Sequence, residues 1–578
     1  MSEPLLTTAV EHHVAANPAS PALSHQDRTL TYRALWSASS AVAAHLAELT
    51  TRRPGRTLLA LSPGAVWVAA LLGAWRAGAV PVLVDPSHPA DRLRHLAGGA
   101  DVVLVEDVAW ARQWSPVEPS LVDTTSLSSR PVAEPPYSPT ADLACVLHTS
   151  GSSGPPKPVL LPHTGLGHRI ARLRELYRID QSDRVAQLAA PSVDVVLWET
   201  LLALTSGAHL HIPSGRESVP SQAMAEWMRQ EQITVASLTP TMLAALPEFL
   251  LPALRLLVVG GEPLEPKRLD YWIARHQVAN AYGPTETTIE THVCLDVTGH
   301  DPAPIGSPVP GVEDALLDDQ HCPVPDGQVG HLHLGGIGLA QGYEGMPDLT
   351  DQVFVHLDVD GRGVRRFYRT GDLAWRRTDG QLIFSGRADR QLNLGGVRVE
   401  PEEIERIAMR MPGVVAAAAV VEQTPVGQVL VLYAATPAMS LDSAQVRAHL
   451  AAGLPPAAVP SRIHVRPHLP LTASGKPDPH ALKQRPARNH PAPYPGGYYT
   501  GLPETVRSWW RDLAGSTPDA ADSDFFATGG TSLAALDLLH RINERYGTHI
   551  TVTAFVAAPT PEHLRRALAR TCEGELPA

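Results

Sequence analysis

The sequence predicts a multidomain chain: a large α/β unit, then a small α+β unit, then a small helical bundle. Three observations carry this reading. The 578 residues exceed what one hydrophobic core can organise. From about residue 20 to 385, strand-like apolar runs alternate with helical ones, which is the pattern of α/β layers. A proline- and glycine-rich stretch from Arg485 to Gly501 reads as a linker to a last, all-helical segment.

The alternation is plain near the start. Thr57 to Leu61 reads as a strand, Ala65 to Ala77 as a helix and Val80 to Val84 as the next strand. Around Asp389 the pattern changes to a helix from Pro401 to Met411, strands from Val414 to Val421 and Val429 to Ala434, and a helix from Ser443 to Ala452. Glu402 and Glu403 suit the start of the first of these helices. Beyond the linker, Glu504 to Leu513, Leu533 to Tyr546 and Pro561 to Ala569 form three short amphipathic helices of a bundle. The domain reading is therefore residues 1–388, residues 389–484, a linker at 485–501 and a bundle at 502–573.

Composition excludes several function classes. Hydrophobic residues at 44% and charged residues at 18% mark a globular protein. The net charge of -12, without a lysine or arginine cluster, argues against nucleic acid as a partner. The apolar stretch from Ala189 to Leu204 is interrupted by Asp194 and Glu199, so no membrane span is expected. Met1-Ser2-Glu3-Pro4 lacks the basic and apolar parts of an export signal. Cys145, Cys294, Cys322 and Cys572 lack metal-binding spacing and suggest reduced thiols, hence a cytoplasmic location.

Five segments carry chemistry that an ordinary strand or loop does not need. His148-Thr149-Ser150-Gly151-Ser152-Ser153-Gly154-Pro155-Pro156-Lys157 follows the apolar run Leu143 to Leu147. Its glycines free the backbone, its hydroxyls can face phosphate oxygens and its lysine adds a point charge, although the spacing is not that of a Walker loop. Asn280-Ala281-Tyr282-Gly283-Pro284-Thr285-Glu286-Thr287-Thr288 is a polar loop with a hard carboxylate for Mg²⁺ and an aromatic face for a purine. Tyr368-Arg369-Thr370-Gly371-Asp372-Leu373 sets an aspartate on a tight turn, where it can accept two ribose hydroxyls. Ser385-Gly386-Arg387-Ala388-Asp389-Arg390-Gln391 closes the large unit, and Leu471-Thr472-Ala473-Ser474-Gly475-Lys476 bears a second loop lysine. Taken singly, each also reads as a helix cap, a solvated turn or a surface salt bridge.

Together and in this order they closely resemble the adenylation domains of nonribosomal peptide synthetases, within the adenylate-forming family. The resemblance runs from Leu30-Thr31-Tyr32-Arg33-Ala34-Leu35 to Lys476 and includes Arg76 to Val82 and Gly335 to Tyr343. It departs from the family at His148, where an aromatic is common, at Pro158, where glycine is usual, and at Val193, where phenylalanine is usual. The last unit resembles a peptidyl carrier protein through Asp524-Phe525-Phe526-Ala527-Thr528-Gly529-Gly530-Thr531-Ser532-Leu533, with Thr531 in place of the usual aspartate or histidine. Ser532 would otherwise simply cap a helix.

The resemblance implies an adenylate-forming α/β domain, its small C-terminal domain and a carrier bundle. It implies ATP, Mg²⁺ and 4′-phosphopantetheine as cofactors, the last attached to Ser532. It assigns nucleotide contacts to Thr149, Ser150, Gly151, Ser152, Ser153, Gly154, Lys157, Tyr282, Gly283, Thr285, Asp372 and Arg387, and the metal to Glu286. Lys476 would be the catalytic lysine of adenylation and Asp389 the hinge about which the small domain turns. Implied partners are an amino-acid substrate, a phosphopantetheinyl transferase, a condensation or tailoring enzyme acting in trans and, as for some relatives, an MbtH-like activator protein.

Positions matching the family's substrate pocket are Asp194, Val195, Trp198, Ser237, Val258, Gly260, Ala281, Ile289, Glu290 and Lys476. Asp194 would pair with an α-ammonium group, which favours amino acids over fatty or aryl acids. Ser237, Gly260 and Ala281 leave room for a long side chain, and Glu290 suits a cationic end group. The string looks most like those of arginine-activating domains; cyclised guanidino acids fit the same physics, and lysine, ornithine or, with Glu290 turned to solvent, a neutral residue are the alternatives. An acyl-CoA or aryl ligase and a non-catalytic carrier scaffold are the readings of other classes; Asp194 and Ser532 argue against the first, and Lys157, Glu286, Asp372 and Lys476 against the second.

Overall fold

The computed structural model describes residues 6–50, 55–122, 142–150, 156–264, 269–295, 297, 304–359, 361–394, 397–424, 427–436, 441–470, 482, 499, 501–526, 528, 530 and 532–572. The predicted α/β layers are present. One sheet orders Pro119–Leu121, Val102–Val105, Arg56–Ala60, Val80–Leu83 and Leu143–Thr149 in parallel, with Lys157–Pro162 added antiparallel. All four residues of Val102–Val105 are buried, as expected for a parallel strand covered on both faces.

A second, larger sheet contains the parallel run Pro21–His25, His209–Ile212, Arg184–Ala186, Val235–Leu238, Leu256–Gly260 and Gln277–Tyr282. It continues antiparallel through His292–Cys294, Pro304–Pro308, Leu382–Arg387, Arg365–Arg376, Gly330–Gly336 and Val312–Leu317. Helices with apolar residues on every side, such as Ala65–Arg76 and Val195–Ser206, are enclosed between layers. The loops that follow the parallel strands converge at their C-terminal ends, where open α/β sheets bind ligands.

The small unit opens with a hairpin, Leu392–Leu394 and Val397–Val399, followed by the helix Pro401–Met409 with Glu402 and Glu403 in its first turn. Strands Ala416–Thr424, Gly427–Ala435 and Arg462–Arg466 form one sheet. Its second helix, Ser443–Gly453, starts in a capping box between Asp442 and Gln445.

Among the described residues, the last unit holds four helices rather than the three expected: Glu504–Ala514, Ser532–Tyr546, Val552–Ala557 and Pro561–Cys572. The extra helix has six residues, too few to show a periodicity, and is started by Thr551 accepting from the Ala554 N–H. Phe525, fully buried, packs its ring edge-on at 4.9 Å from Trp510 and 5.7 Å from Phe555. Helix Ser443–Gly453 touches both Val552–Ala557 of the bundle and Ala90–Leu96 of the large unit. Helix Ser532–Tyr546 rests against the turn Gly215–Ser218 of the large unit. Among the described residues, no helix is long and apolar enough to cross a membrane.

Candidate active site

The residues singled out in the large unit come together where the two sheets and the small unit meet. Asp372 was expected on a tight turn; it lies instead inside the strand Arg365–Arg376, just past Gly371, where the pairing with the next strand slips between Leu373 and Ala374. Register sets it opposite Arg387, and its carboxylate takes two partners. Tyr282 Oη donates to Oδ2 at 2.5 Å and Arg387 Nη1 to Oδ1 at 2.6 Å. Burial pushes the Asp372 carboxyl up, while Arg387 and the Tyr282 hydroxyl oppose it. Arg387 also grips Asp389 with Nε and Nη2, at 2.6 and 2.8 Å, so one guanidinium ties the expected ribose-binding acid to the expected hinge.

Glu286 sits in the short helical turn Thr285–Thr287 and is fully buried. Tyr343 Oη donates to Oε1 at 2.8 Å, and Arg398 Nη1 lies 3.0 Å from both carboxylate oxygens. Burial alone would raise this carboxyl; Arg398, the Tyr343 hydroxyl and nearby Lys157 bring it below the usual range. It stays ionised. A nucleotide-bound Mg²⁺ asks for one or two such carboxylates, with phosphates and water completing the shell, so Glu286 fits that ion.

Arg398 belongs to the hairpin of the small unit, and its backbone carbonyl accepts from Ser150 Oγ at 2.8 Å. The hairpin thus lies against the start of the hydroxyl-rich loop. Within that loop, Thr149 Oγ1 is buried without a hydrogen-bond partner among the described residues, which suits a ligand oxygen. Lys157 is buried at the loop's far end, its ammonium disfavoured by burial and by Arg398, as a site that receives anions would have it. Gly151, Ser152, Ser153, Gly154 and Lys476 lie outside the described residues. Pro158 causes no break: it is in the strand Lys157–Pro162, opposite His148, and its carbonyl accepts from the Glu344 N–H at 2.9 Å.

Several of the expected substrate positions are neighbours on the large sheet. Register places Ser237 beside Val258 and Gly260 beside Ala281 on neighbouring parallel strands. Asp194 ends the loop before the helix Val195–Ser206, which carries Val195 and Trp198. Burial raises the Asp194 carboxyl to about 6, against the Thr285 hydroxyl that bonds it. Glu290 is 7% exposed, so its side chain does not face solvent. Tyr177 Oη donates to its Oε2 at 2.7 Å. Burial raises Glu290 to about 7, with Tyr177 and the charge of Arg169 working the other way.

The loop presenting Ile289 and Glu290 is strained. Thr288 and Ile289 have φ of +65° and +60°, a region β-branched residues avoid at a cost of roughly 1–3 kcal/mol each. Gly283 lets the chain pass: a Cβ there would lie 1.8 Å from the Ile289 carbonyl oxygen. Sequence reasoning missed four residues of this site: Arg169, Tyr177, Tyr343 and Arg398. A signal existed for Arg169, which falls on the buried stripe Leu166, Ile170, Leu173 and Tyr177 of the helix His163–Tyr177.

In the bundle, Ser532 opens the helix Ser532–Tyr546, its side chain lying outside the described residues. Arg447, on the small unit's helix Ser443–Gly453, is 2% exposed and reaches Asp524 Oδ2 at 3.1 Å. The same guanidinium donates to the carbonyls of Pro460 and Ser461 and stands over the Phe526 ring.

Residues 10–344 match the AMP-binding enzyme model and residues 403–476 the AMP-binding enzyme C-terminal domain. This chain belongs to the AMP-binding enzyme family. Residues 504–568 of this AMP-binding enzyme match the phosphopantetheine attachment site model. It is 33% identical to phosphinothricin tripeptide synthetase PhsC of Streptomyces viridochromogenes over 98% of its own length, and 34% identical to novobiocin biosynthesis protein H of Streptomyces niveus over 96%. It covers 94% of the novobiocin protein but about half of PhsC (53%), and 7% of the "probable non-canonical nonribosomal peptide synthetase CymA" of Salinispora arenicola. The fold matches an artificially fused adenylation–carrier didomain from Klebsiella oxytoca at 25% identity, covering 80% of this chain and 94% of that one with a TM-score of 0.71. A four-domain synthetase bound to AMP and glycine aligns at 26% identity over 98% of this chain and 43% of the other, with a TM-score of 0.61. The architecture is that of a nonribosomal peptide synthetase adenylation domain joined to a peptidyl carrier, and this family uses ATP, typically with Mg²⁺, and a phosphopantetheine arm.

Proposed function

We propose that the chain activates arginine or a related guanidino amino acid as its adenylate and loads it onto the carrier at Ser532, for a downstream enzyme acting in trans. The observation that carries the choice of substrate is Glu290: a buried carboxylate near enough to buried Asp194 for their charges to interact. A forked guanidinium can use both oxygens of a carboxylate, whereas an uncharged side chain would leave that acid buried without a cation.

In this reading the substrate's ammonium group pairs with Asp194 and its guanidinium with Glu290. Thr149 to Gly154 and Lys157 hold the nucleotide phosphates, Tyr282, Gly283 and Thr285 line the purine side, and Asp372 with Arg387 receives the ribose. The substrate carboxylate attacks the α-phosphorus and pyrophosphate leaves; the barrier is set by charge and position, so Lys476, entering from the small unit, lowers it by spreading negative charge. Glu286 would hold Mg²⁺, which neutralises phosphate charge when bound. When attached, the phosphopantetheine arm would supply the thiol that displaces AMP from the adenylate and receives the aminoacyl group. Rotation about Asp389 withdraws Lys476 to admit that thiol.

Pyrophosphate exchange across the amino acids, arginine analogues included, tests the assignment. Arginine or a cyclised guanidino acid should give the highest kcat/KM, and Glu290→Gln should lose activity chiefly toward cationic substrates. A preference for a neutral residue, or one that Glu290→Gln leaves unchanged, would remove the guanidino assignment.

A further inference from the structure

We infer that Arg169 is a specificity-positioning residue: it holds the strained bend at 287–290 so that Glu290 faces the substrate pocket, and Tyr177 on the same helix fixes that carboxylate. The inference rests on the reading that Glu290 meets the cationic end of the substrate.

The geometry is specific. Arg169 is 1% exposed on the helix His163–Tyr177. Its Nε donates to the Thr288 carbonyl at 3.2 Å and its Nη2 to the Thr287 carbonyl at 3.4 Å. These are the carbonyls immediately before the two left-handed residues Thr288 and Ile289 and at the first of them. On the other side, Thr288 Oγ1 donates to the Gly338 carbonyl at 2.6 Å. A Cβ at Gly338 would lie 2.7 Å from Arg169 Nη2 and 2.9 Å from the Thr287 oxygen, so only glycine lets guanidinium, bend and the following loop close together.

A cation buried in this way usually answers an acid directly. Here two of its donors are given to backbone carbonyls, while Nη1 has no partner among the described residues. Arg169 therefore acts on Glu290 at a distance, through the shape of the bend and through its field. Two turns further along the same helix face, Tyr177 donates to Glu290 Oε2 at 2.7 Å. One rigid helix thus sets both the path of the loop and the direction of the acid. Removing either contact would let the strained bend relax and turn Glu290 away.

The test compares arginine with citrulline, its neutral near-isostere, by pyrophosphate exchange in Arg169→Met, Arg169→Lys, Tyr177→Phe and Glu290→Gln. Arg169→Met should lower kcat/KM for arginine by about ten- to a hundredfold, mainly through KM, with citrulline and ATP much less affected. Arg169→Lys should recover part of the loss, because an ammonium can still reach one carbonyl. Tyr177→Phe, which removes one hydrogen bond and no volume, should narrow the arginine-to-citrulline ratio even if Arg169→Met does not fold. Equal losses for both amino acids, or an unchanged ratio in folded Arg169→Met and Tyr177→Phe, would overturn the positioning role while a lost ratio in Glu290→Gln kept the guanidino reading. An unchanged ratio in Glu290→Gln would overturn both.

Discussion

Arg398 of the small unit and Glu286 of the large unit form a buried ion pair in which one guanidinium nitrogen stands 3.0 Å from each carboxylate oxygen. The acid expected to hold Mg²⁺ is thereby neutralised by the protein's own cation. In this arrangement of the units, the hairpin Leu392–Val399 and a metal ion would compete for one carboxylate.

The first prediction follows. Arg398→Met leaves Glu286 buried without its cation, a change that typically costs 3–5 kcal/mol when the charge cannot escape. Swinging the small unit away is the cheaper response. Amide exchange in the hairpin should therefore quicken in Arg398→Met; protection equal to wild type would show that this pair does not hold the units together.

The second concerns pH. Burial lifts Glu290 to about 7. A cation binds the ionised carboxylate, so KM for arginine should fall as pH rises through about 7, whereas KM for citrulline should not show that limb. The sign for stability is opposite. A carboxyl whose folded pKa is raised favours the folded state at low pH and loses that contribution as pH climbs from the ordinary carboxylate range through about 7. Arginine should therefore raise the melting temperature more at pH 8 than at pH 6, roughly one unit either side of that value. A pH-independent KM for arginine would count against Glu290 as its partner.

The third concerns carrier docking. Arg447 pairs with Asp524 across the junction between the small unit and the bundle. Arg447→Glu should slow loading of the carrier at least about tenfold, the scale expected when a buried partner is reversed, with adenylate formation little changed. Adding Asp524→Arg should restore part of the rate. Radiolabelled amino acid on the carrier, beside pyrophosphate exchange, separates the two steps, and absence of rescue would assign Arg447 to the fold through its bonds to Pro460 and Ser461.

The fourth separates the two half-reactions by residue. Lys476→Ala should abolish adenylate formation yet leave transfer from preformed adenylate largely intact. Ser532→Ala should form adenylate and acquire no covalently bound amino acid. Equal loss of both steps in the first variant, or loading in the second, would contradict these roles.

The layers and the order of elements were legible because each rests on a local pattern. Leu143–Thr149 reads as a strand from its own apolar run, and helix Pro401–Met409 from the acidic start at Glu402 and Glu403. The residues that were missed act through contacts distant in sequence. Arg398 meets Glu286 across 112 positions and Arg169 meets Thr288 across 119. Nothing near either arginine announces its partner. Asp372 shows a subtler limit: its neighbour Gly371 suggested a turn, but the glycine, at φ +78°, sits where the strand's pairing with Gly330–Gly336 shifts register. Glu290 could be named from its position, while its burial and its bond to Tyr177 needed the fold.

Helix Ser443–Gly453 lies against the large unit on one side and the bundle on the other, and its Arg447 reaches Asp524. A graft that joins a foreign carrier at the stretch 485–501 would keep this helix while discarding the surface it fits. Exchanging the carrier together with residues 389–484 would move both halves of that contact as one cassette. The seam would then fall where Arg387 clasps Asp389, a short join that any donor with the same pair could inherit.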